Sequence, residues 1–366
     1  MIYMDYAATS PMSSNALQAY CDVAKRYYGN SASLHDLGGQ ANYFVEQART
    51  VLAKTLGVER NGIIFTGSGT EGNILSILSL ALAAKQGKHI ISSQAEHTSV
   101  HAALNTLEKM GFAITKLPLQ LNGCIDVEQV RKAIREDTAL ITIQHVNSEI
   151  GSIQPVEEIV EIANNANIFF HVDCVQSFSK LATYSFSANV DAITVSAHKI
   201  GGPKGCGAIF INPKIRVPAL TPGVTHERGL RGGTLDTPAI VAFATAIENY
   251  QYERQHYELL RQYLRNNLPS TCQLIECDNQ LPSICGLIME KVEGQYVLLK
   301  LNEAGICIST GSACDIHSES GTKAILSMGY TMEEARQFFR ISFGPTTSFE
   351  EIDQLVAALT HVFVKY

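Results

Sequence analysis

The chain has 366 residues, of which 46% are hydrophobic and 17% are charged, and its formal net charge is -7 at pH 7. Lys and Arg never occur in runs longer than two, so the sequence excludes a basic tract for phosphates, and we expect no direct nucleic-acid partner. The longest apolar run, residues 74–84, is shorter than the about 20 residues that span a bilayer, so we expect no membrane segment.

The amino terminus, MIYMDYAATSP, has no basic region followed by an apolar stretch. It therefore predicts no secretory signal and favours a cytoplasmic location. The nine cysteines are spread along the chain and form no C-x-x-C pair. This spacing indicates neither a disulfide framework nor a zinc site, and we expect no metal.

Short apolar segments alternate with segments of helical period through the first half of the chain. The helical segments are TEGNILSILSLALAAK, TSVHAALNTLEKMG, DVEQVRKAIR and PVEEIVEIANNA. The segments of strand character are GIIFTGS, HIISS, FAITKLPL, ALITIQHV, IFFHVDCV, DAITVSAH and GCGAIFIN. This alternation predicts an α/β fold in which about seven strands form a mainly parallel sheet between helices.

The pattern changes in the second half of the chain. One long helical stretch is predicted from Thr237 to Asn267, and short strands and helices follow Pro269. The tail predicts a helix, a strand and a helix, which is typical of a small α+β domain. We therefore predict a large domain over residues 13–250 and a small domain formed by residues 1–12 and 251–366.

The segment SAHKIGGPKG, residues 196–205, directly follows the predicted strand DAITV. It places Lys199 at the carboxyl end of a strand, where open α/β sheets bind ligands. An amine at this position can form a Schiff base with a carbonyl cofactor if its surroundings keep it partly unprotonated. A solvated surface lysine is the alternative, and this segment alone does not decide between the two.

The segment HVDCVQ, residues 171–176, ends another buried strand. A buried Asp173 needs a cationic partner, and the pyridine nitrogen of pyridoxal phosphate is one candidate. A structural ion pair is the alternative.

The segment TGSGTEGN, residues 66–73, is a turn between a strand and a helix. Its backbone amides from Gly69 onward, with the hydroxyls of Ser68 and Thr70, predict a phosphate cradle. The turn matches neither G-x-G-x-x-G nor the Walker pattern, so a nucleotide is disfavoured.

Three single residues complete the candidate site. His97, in AEHTSV, follows a strand and can stack on a pyridine ring, with helix capping as the alternative. Cys314, in ISTGSACDIHSESG, lies among small residues that are typical of an accessible thiol, whose thiolate fraction depends on its environment. Arg340, in QFFRISFG, can offer a bidentate fork to a carboxylate, with a surface arginine as the alternative.

Together these segments resemble the pyridoxal-phosphate cysteine desulfurases of the NifS/IscS type. The resemblance covers nearly the full length and rests on YMDYAATSP, GNSASLH, the EH of residues 96–97, HVNSEIG, HVDCVQ, SAHK, HERGLRGGT and STGSACDIHS. It implies the fold-type I aminotransferase-like fold and a homodimer with its active site at the subunit interface. It also implies pyridoxal 5'-phosphate as the cofactor.

The resemblance also implies roles for single residues. It matches Lys199 to the Schiff-base lysine, His97 to the stacking histidine that transfers protons, and Cys314 to the nucleophile that forms a persulfide. It implies that Arg340 binds the carboxylate of the substrate, and that Asn147 and Ser148 also bind the substrate. The remaining cofactor contacts that it implies are Asp173 at the pyridine nitrogen, Gln176 at the phenolic oxygen, Thr70, Ser196 and His198 at the phosphate, and Thr234 from the other subunit.

The sequence departs from the pattern of the family at four places. Ser148 stands where a second asparagine is common, and Gly201 where a tyrosine is usual. PGVT, residues 222–225, replaces a Gly-rich run, and residues 319–321 are ESG in place of Leu-Glu-Pro.

The implied reaction moves sulfur from L-cysteine onto Cys314 and releases L-alanine. The sulfur then passes to an acceptor protein, which is an iron-sulfur scaffold, a tRNA-thiolating enzyme or one dedicated client. Two alternatives stay open. One is a selenocysteine lyase on the same scaffold, and the other is a non-catalytic protein that keeps the fold and binds an iron-sulfur assembly partner.

Overall fold

The computed structural model describes residues 1–311 and 322–365. Its helices are α1 Ser14–Arg26, α2 Asp36–Leu56, α3 Gly69–Ala83, α4 Thr98–Lys109, α5 Val127–Ala133, α6 Val156–Asn165, α7 Tyr184–Ser187, α8 Thr237–Asn249, α9 Arg254–Asn267, α10 Gly294–Glu303, α11 Lys323–Ser327, α12 Met332–Arg336 and α13 Phe349–Lys365. Its strands are β1 Ile2–Tyr3, β2 Ile63–Thr66, β3 His89–Ser93, β4 Ala113–Leu117, β5 Thr138–Gln144, β6 Phe169–Asp173, β7 Ala192–Ser196, β8 Gly207–Ile211, β9 Cys272–Leu274, β10 Ile284–Met289, β11 Ile306–Cys307 and β12 Phe338–Ser342.

A seven-stranded sheet forms the centre of the fold, with the strand order β2-β8-β7-β6-β5-β3-β4. Only β8 runs antiparallel to its neighbours in this sheet. Neighbouring residues of one strand face opposite sides, as Ile91 packs into the first core and Ile90 into the third. Both faces are therefore covered by helices, and the predicted α/β fold with a mainly parallel sheet is confirmed.

Helix α3 packs very closely on the sheet. A Cβ atom at Gly72 would come within 2.7 Å of Thr194 Cγ2 on β7, and one at Gly69 within 2.8 Å of Val175 Cγ2. Only glycine tolerates such an approach without displacing its neighbour. The two glycines thus bring the first turn of α3 close to the ends of β6 and β7.

The chain after residue 250 builds a second sheet, with the order β12-β10-β9 and antiparallel pairing. Its apolar side packs with α9 and α13 in a second core that includes Leu287, Ile341 and Leu355. Ala324 and Ile325 of α11 belong instead to the first core, beside the large sheet. The exact division into a large and a small domain stays a prediction.

The prediction of one helix from Thr237 to Asn267 is wrong, because the structure has two helices separated by residues 250–253. Tyr250 has extended backbone with φ -77 and ψ 127. The ring of Tyr252 stacks on Tyr257 with centroids 4.7 Å apart, and its hydroxyl donates to Ser283 Oγ at 3.0 Å. These tertiary contacts outweigh the local helical period.

The predicted helix, strand and helix of the tail are confirmed as α12, β12 and α13. Within residues 1–311 and 322–365, no helix is long and apolar enough to cross a membrane.

Candidate active site

A cavity of about 270 Å³ lies at the carboxyl ends of β5, β6 and β7. Side chains from β12 and from the amino-terminal segment close it on the other side, as Arg340 and Ala7 show. The cavity brings together these residues singled out from the sequence: Gly69, Thr70, His97, Ser148, Asp173, Gln176, Ser196, His198, Lys199 and Arg340. Residues from distant parts of the chain therefore meet at the edge of the sheet where ligands bind in such folds.

Two predicted residues, Asn147 and Thr234, are not part of the described lining of the cavity. Asn147 is buried behind the cavity wall, where its Oδ1 accepts from the backbone N–H of Glu149 at 2.9 Å and of Ile150 at 3.0 Å. Cys314 lies outside the described residues, but Gly311 and Lys323 on either side of it both line the cavity.

Lys199 ends a single 3-10 turn, Ala197–Lys199, which follows β7 directly. Its Nζ donates to the backbone carbonyls of Ala7 at 2.5 Å and Ala8 at 2.8 Å. The amino-terminal segment therefore holds the amine at the cavity wall.

Gly201 explains one departure from the pattern of the family. Its φ is +78°, a left-handed conformation in which a side chain is strained. Its N–H donates to Ser10 Oγ at 2.8 Å, and its carbonyl accepts from Ser13 N–H at 2.9 Å. Glycine at this position thus suits the turn that joins the Lys199 segment to the amino terminus.

Asp173 is fixed by hydrogen bonds at the end of β6. Its Oδ2 accepts from Asn73 Nδ2 at 2.7 Å, and its Oδ1 accepts from Val175 N–H at 2.9 Å. Asn73 Nδ2 also donates to Ser99 Oγ at 2.9 Å. The carboxyl group is 6% exposed, and both of these hydrogen-bond donors are neutral amides. Its negative charge is therefore available to a cationic group in the cavity.

His97 is the N-cap residue of α4, so the capping alternative describes its local geometry. Its Nδ1 accepts from Ser99 N–H at 3.2 Å, which leaves the proton of a neutral ring on Nε2. Burial lowers the pKa of His97, and Lys199 and Lys323 lower it further against the opposing effect of Asp173. The side chain of His97 therefore both caps α4 and lines the cavity.

The opposite end of the cavity fits a phosphate. Helix α3 begins at Gly69, and its start lines the cavity through Ser68, Gly69 and Thr70. Ser196 Oγ is buried without a hydrogen-bond partner. His198 also lines this cavity, and burial together with the nearby lysines lowers its pKa to about 4. An anion would satisfy the orphaned hydroxyl and the helix start together.

Arg340 lies on β12 and is only 5% exposed, which excludes the surface alternative. Its Nη1 donates to the carbonyl of Ser148 at 2.8 Å, and its Nη2 pairs with Asp5 Oδ1 at 2.8 Å. Its Nε is buried without a partner. The guanidinium therefore still has a donor for a ligand.

Gln176 spans the cavity wall and the amino-terminal segment. Its Nε2 donates to the carbonyl of Ala7 at 2.8 Å, and Lys180 Nζ donates to its Oε1 at 3.4 Å. The side chain therefore has a fixed orientation at the cavity.

The lining residues that received no role from the sequence include Asn73, Glu96, Glu149 and Lys323. The first three lie inside segments that the sequence had singled out, TGSGTEGN, AEHTSV and HVNSEIG. Burial raises the pKa of Glu96 to about 8 and that of Glu149 to about 7. The presence of Glu96 and Glu149 inside these segments could have marked them as candidate site residues. Their burial and their hydrogen-bond partners, however, become known only from the structure.

Comparison with known proteins agrees with this geometry. The family model described as aminotransferase class-V matches residues 2–355. The chain belongs to the class-V aminotransferase family. Its curated relatives include a protein of Bacillus subtilis named putative cysteine desulfurase NifS, which is 40% identical and aligns over 98% of this chain and 94% of the relative. Another is cysteine desulfurase IscS of Dictyoglomus turgidum, 34% identical over 100% of this chain and 95% of the relative.

A solved structure of SspA in complex with cysteine is 33% identical, with a TM-score of 0.85 over 95% of this chain and 100% of that chain. The predicted membership among the NifS/IscS-like cysteine desulfurases is therefore confirmed. Proteins of this class-V family depend on pyridoxal phosphate. The residues present fit that cofactor, since the cavity offers a lysine amine, an aspartate and an anion site at separate positions.

Proposed function

We propose that this class-V aminotransferase family member is a pyridoxal-phosphate-dependent cysteine desulfurase that converts L-cysteine to L-alanine and a persulfide on Cys314. One observation carries the proposal: a single cavity presents Lys199, Asp173, His97 and Arg340 together. A protein that only binds a partner has no need of this combination. The relatives named cysteine desulfurase and the relative solved with cysteine support L-cysteine as the substrate.

The proposed cofactor site uses eight residues of the cavity lining. Lys199 would hold the aldehyde carbon, Asp173 the pyridine nitrogen and Gln176 the phenolic oxygen, while Ser196 and the start of α3 at Gly69 would hold the phosphate. Thr70 and His198 are further phosphate contacts in this proposal, and His97 would stack on the ring. When bound, the cofactor supplies an electron sink beside the amine carbon of the substrate.

The residues around that sink have separate tasks. Asp173, oriented by Asn73 and the Val175 amide, would hold a proton on the pyridine nitrogen. Lys199 Nζ would take the proton from the substrate Cα. The Nε donor of Arg340 binds the substrate carboxylate beside Ser148, which orients the sulfur.

Cys314 completes the proposal as the sulfur acceptor. Its thiolate attacks the substrate sulfur, so an S–S bond forms as the bond between sulfur and Cβ breaks. The electron pair of the S–Cβ bond stays with the carbon skeleton, which would take up one proton at Cβ and regain one at Cα before it leaves as L-alanine. Gly311 and Lys323 at the cavity are consistent with a cysteine supplied from between them.

Several features of the proposal go beyond this chain. We place it in a homodimer, with Thr234 reaching the phosphate of the other subunit and Asn147 supporting the substrate side through its turn. We propose a cytoplasmic location and transfer of sulfur to an acceptor protein, such as an iron-sulfur scaffold, a thiolation enzyme or a dedicated client.

A selenocysteine lyase is the second candidate, because L-selenocysteine differs from L-cysteine only in having selenium in place of sulfur. We expect the purified protein to release alanine from L-cysteine at a rate at least about a tenth of that from L-selenocysteine, since Cys314 supports attack on sulfur. Alanine release under matched cofactor loading measures both rates. Turnover of L-selenocysteine alone would instead make the protein a lyase, and no uptake of pyridoxal phosphate would favour a non-catalytic scaffold.

A further inference from the structure

Glu149 is a buried carboxyl group that lines the cavity and binds a different part of the chain. It is 9% exposed and lies in the turn after β5. Its Oε2 accepts from the backbone N–H of Ala324 at 2.8 Å, and Ala324 is the second residue of α11. The side chain therefore joins the turn at the end of the large sheet to the start of α11.

Helix α11 is fastened to the large sheet at both ends. Glu149 binds its first turn, and Ser327 Oγ at its last residue accepts from Leu119 N–H at 2.8 Å. Between these ends, Ala324 and Ile325 are fully buried in the first core. Of these two hydrogen bonds, only the one from Ala324 to Glu149 lies at the cavity and involves a titratable side chain.

Two cations lie beside Glu149 and come from two separate elements. Lys323, the first residue of α11, lines the cavity, as does Arg340 of β12. Arg340 also donates to the carbonyl of Ser148, the residue just before Glu149. The turn of Ser148 and Glu149 thus touches both elements that bring positive charge to this end of the cavity.

The ionisation of Glu149 changes near neutral pH. Burial raises its pKa to about 7, while the Ala324 amide, Arg340 and Lys323 act in the opposite direction. The carboxylate therefore forms as the pH rises through about 7, and its bond to the Ala324 amide is charge-assisted only above that pH. Glu96, which also lines the cavity, has its pKa raised to about 8 and must be separated experimentally.

We propose that Glu149 is a positioning residue, whose carboxylate holds the start of α11 so that Lys323 and Arg340 together flank the carboxylate of the substrate. The inference rests on the proposed function, because it needs an amino acid as substrate. It assigns to Glu149 and Lys323 a part in substrate binding, and it makes that binding tighter when Glu149 is ionised.

L-Alanine binding to the cofactor-loaded protein tests the proposal, since alanine carries no thiol that titrates. The change in cofactor absorbance gives the dissociation constant between about pH 6 and about pH 8. The α-amino group of L-alanine titrates in the same way for wild type and variant, so the readout is the ratio of the Glu149→Gln dissociation constant to the wild-type constant at each pH. We expect this ratio to rise about ten-fold from the lower to the higher pH, because only wild type gains a charged hydrogen-bond acceptor.

Ser327→Ala is the matched control, because it removes the other fastening of α11 without touching the cavity. It should keep the pH dependence of wild type. Glu149→Asp keeps a carboxyl group, but its side chain is one methylene too short to reach Ala324. This variant should lose the tight binding at high pH, and it replaces Glu149→Gln as the test if that variant does not fold. A ratio of the Glu149→Gln constant to the wild-type constant that stays the same across the pH range would overturn the inference.

These results are separate from the proposed function. If wild type yields no alanine from L-cysteine, the desulfurase proposal fails whatever the L-alanine titration shows. If wild type turns over L-cysteine and Glu149→Gln binds L-alanine as wild type does, only the role of Glu149 fails.

Discussion

Lys199→Ala should reduce the release of alanine and sulfide from L-cysteine by at least about a thousand-fold. The structure gives the physical reason: Lys199 Nζ is the amine held at the cavity wall by the carbonyls of Ala7 and Ala8. Alanine has no group to hold the cofactor or to take the Cα proton. Initial rates at saturating L-cysteine and added pyridoxal phosphate measure the loss.

Lys204→Ala is the control for this change. Lys204 lies five residues further along the same Gly-rich segment, but it is exposed and does not line the cavity. The control should keep the rate of wild type within about two-fold, as expected for a surface substitution. Comparable rates for Lys199→Ala and wild type would remove Lys199 from the mechanism.

Cys314→Ser should lose sulfide release by at least about a thousand-fold while the cofactor absorbance stays that of wild type. A hydroxyl is a far weaker nucleophile toward sulfur than a thiolate at neutral pH, whereas it changes neither Lys199 nor Asp173. The same assay, with absorbance spectra taken before substrate is added, measures both properties.

Cys307→Ser provides the matched thiol control. Cys307 lies on β11, seven residues before Cys314, and pairs with Tyr3 of β1 away from the described cavity lining. This variant should turn over L-cysteine like wild type. If Cys307→Ser loses activity and Cys314→Ser retains it, the persulfide has been assigned to the wrong cysteine.

The large sheet was predictable because each of its strands is a short apolar run bounded by a turn. Segments such as HIISS and DAITV became β3 and β7, with the helical segments between them on both faces. The positions of Lys199 and Asp173 at the cavity were predictable too, because carboxyl ends of parallel strands meet at one edge. Local pattern and simple topology therefore sufficed for much of the site.

Contacts between distant residues were not predictable from the sequence. The break between α8 and α9 depends on Tyr252 reaching Ser283, and no local period records that contact. Glu149 accepts a hydrogen bond from Ala324 of α11, which lies 175 residues further along the chain. Likewise, the pairing of Arg340 with Asp5 joins residues from opposite ends of the sequence.

The most direct test of the account is the mass of the protein after reaction with a limited amount of L-cysteine in the absence of reductant. The account predicts that the peptide containing Cys314 gains the mass of one sulfur atom, with one alanine released for each sulfur bound. A gain on another cysteine, or alanine release with no sulfur on the protein, would contradict the account.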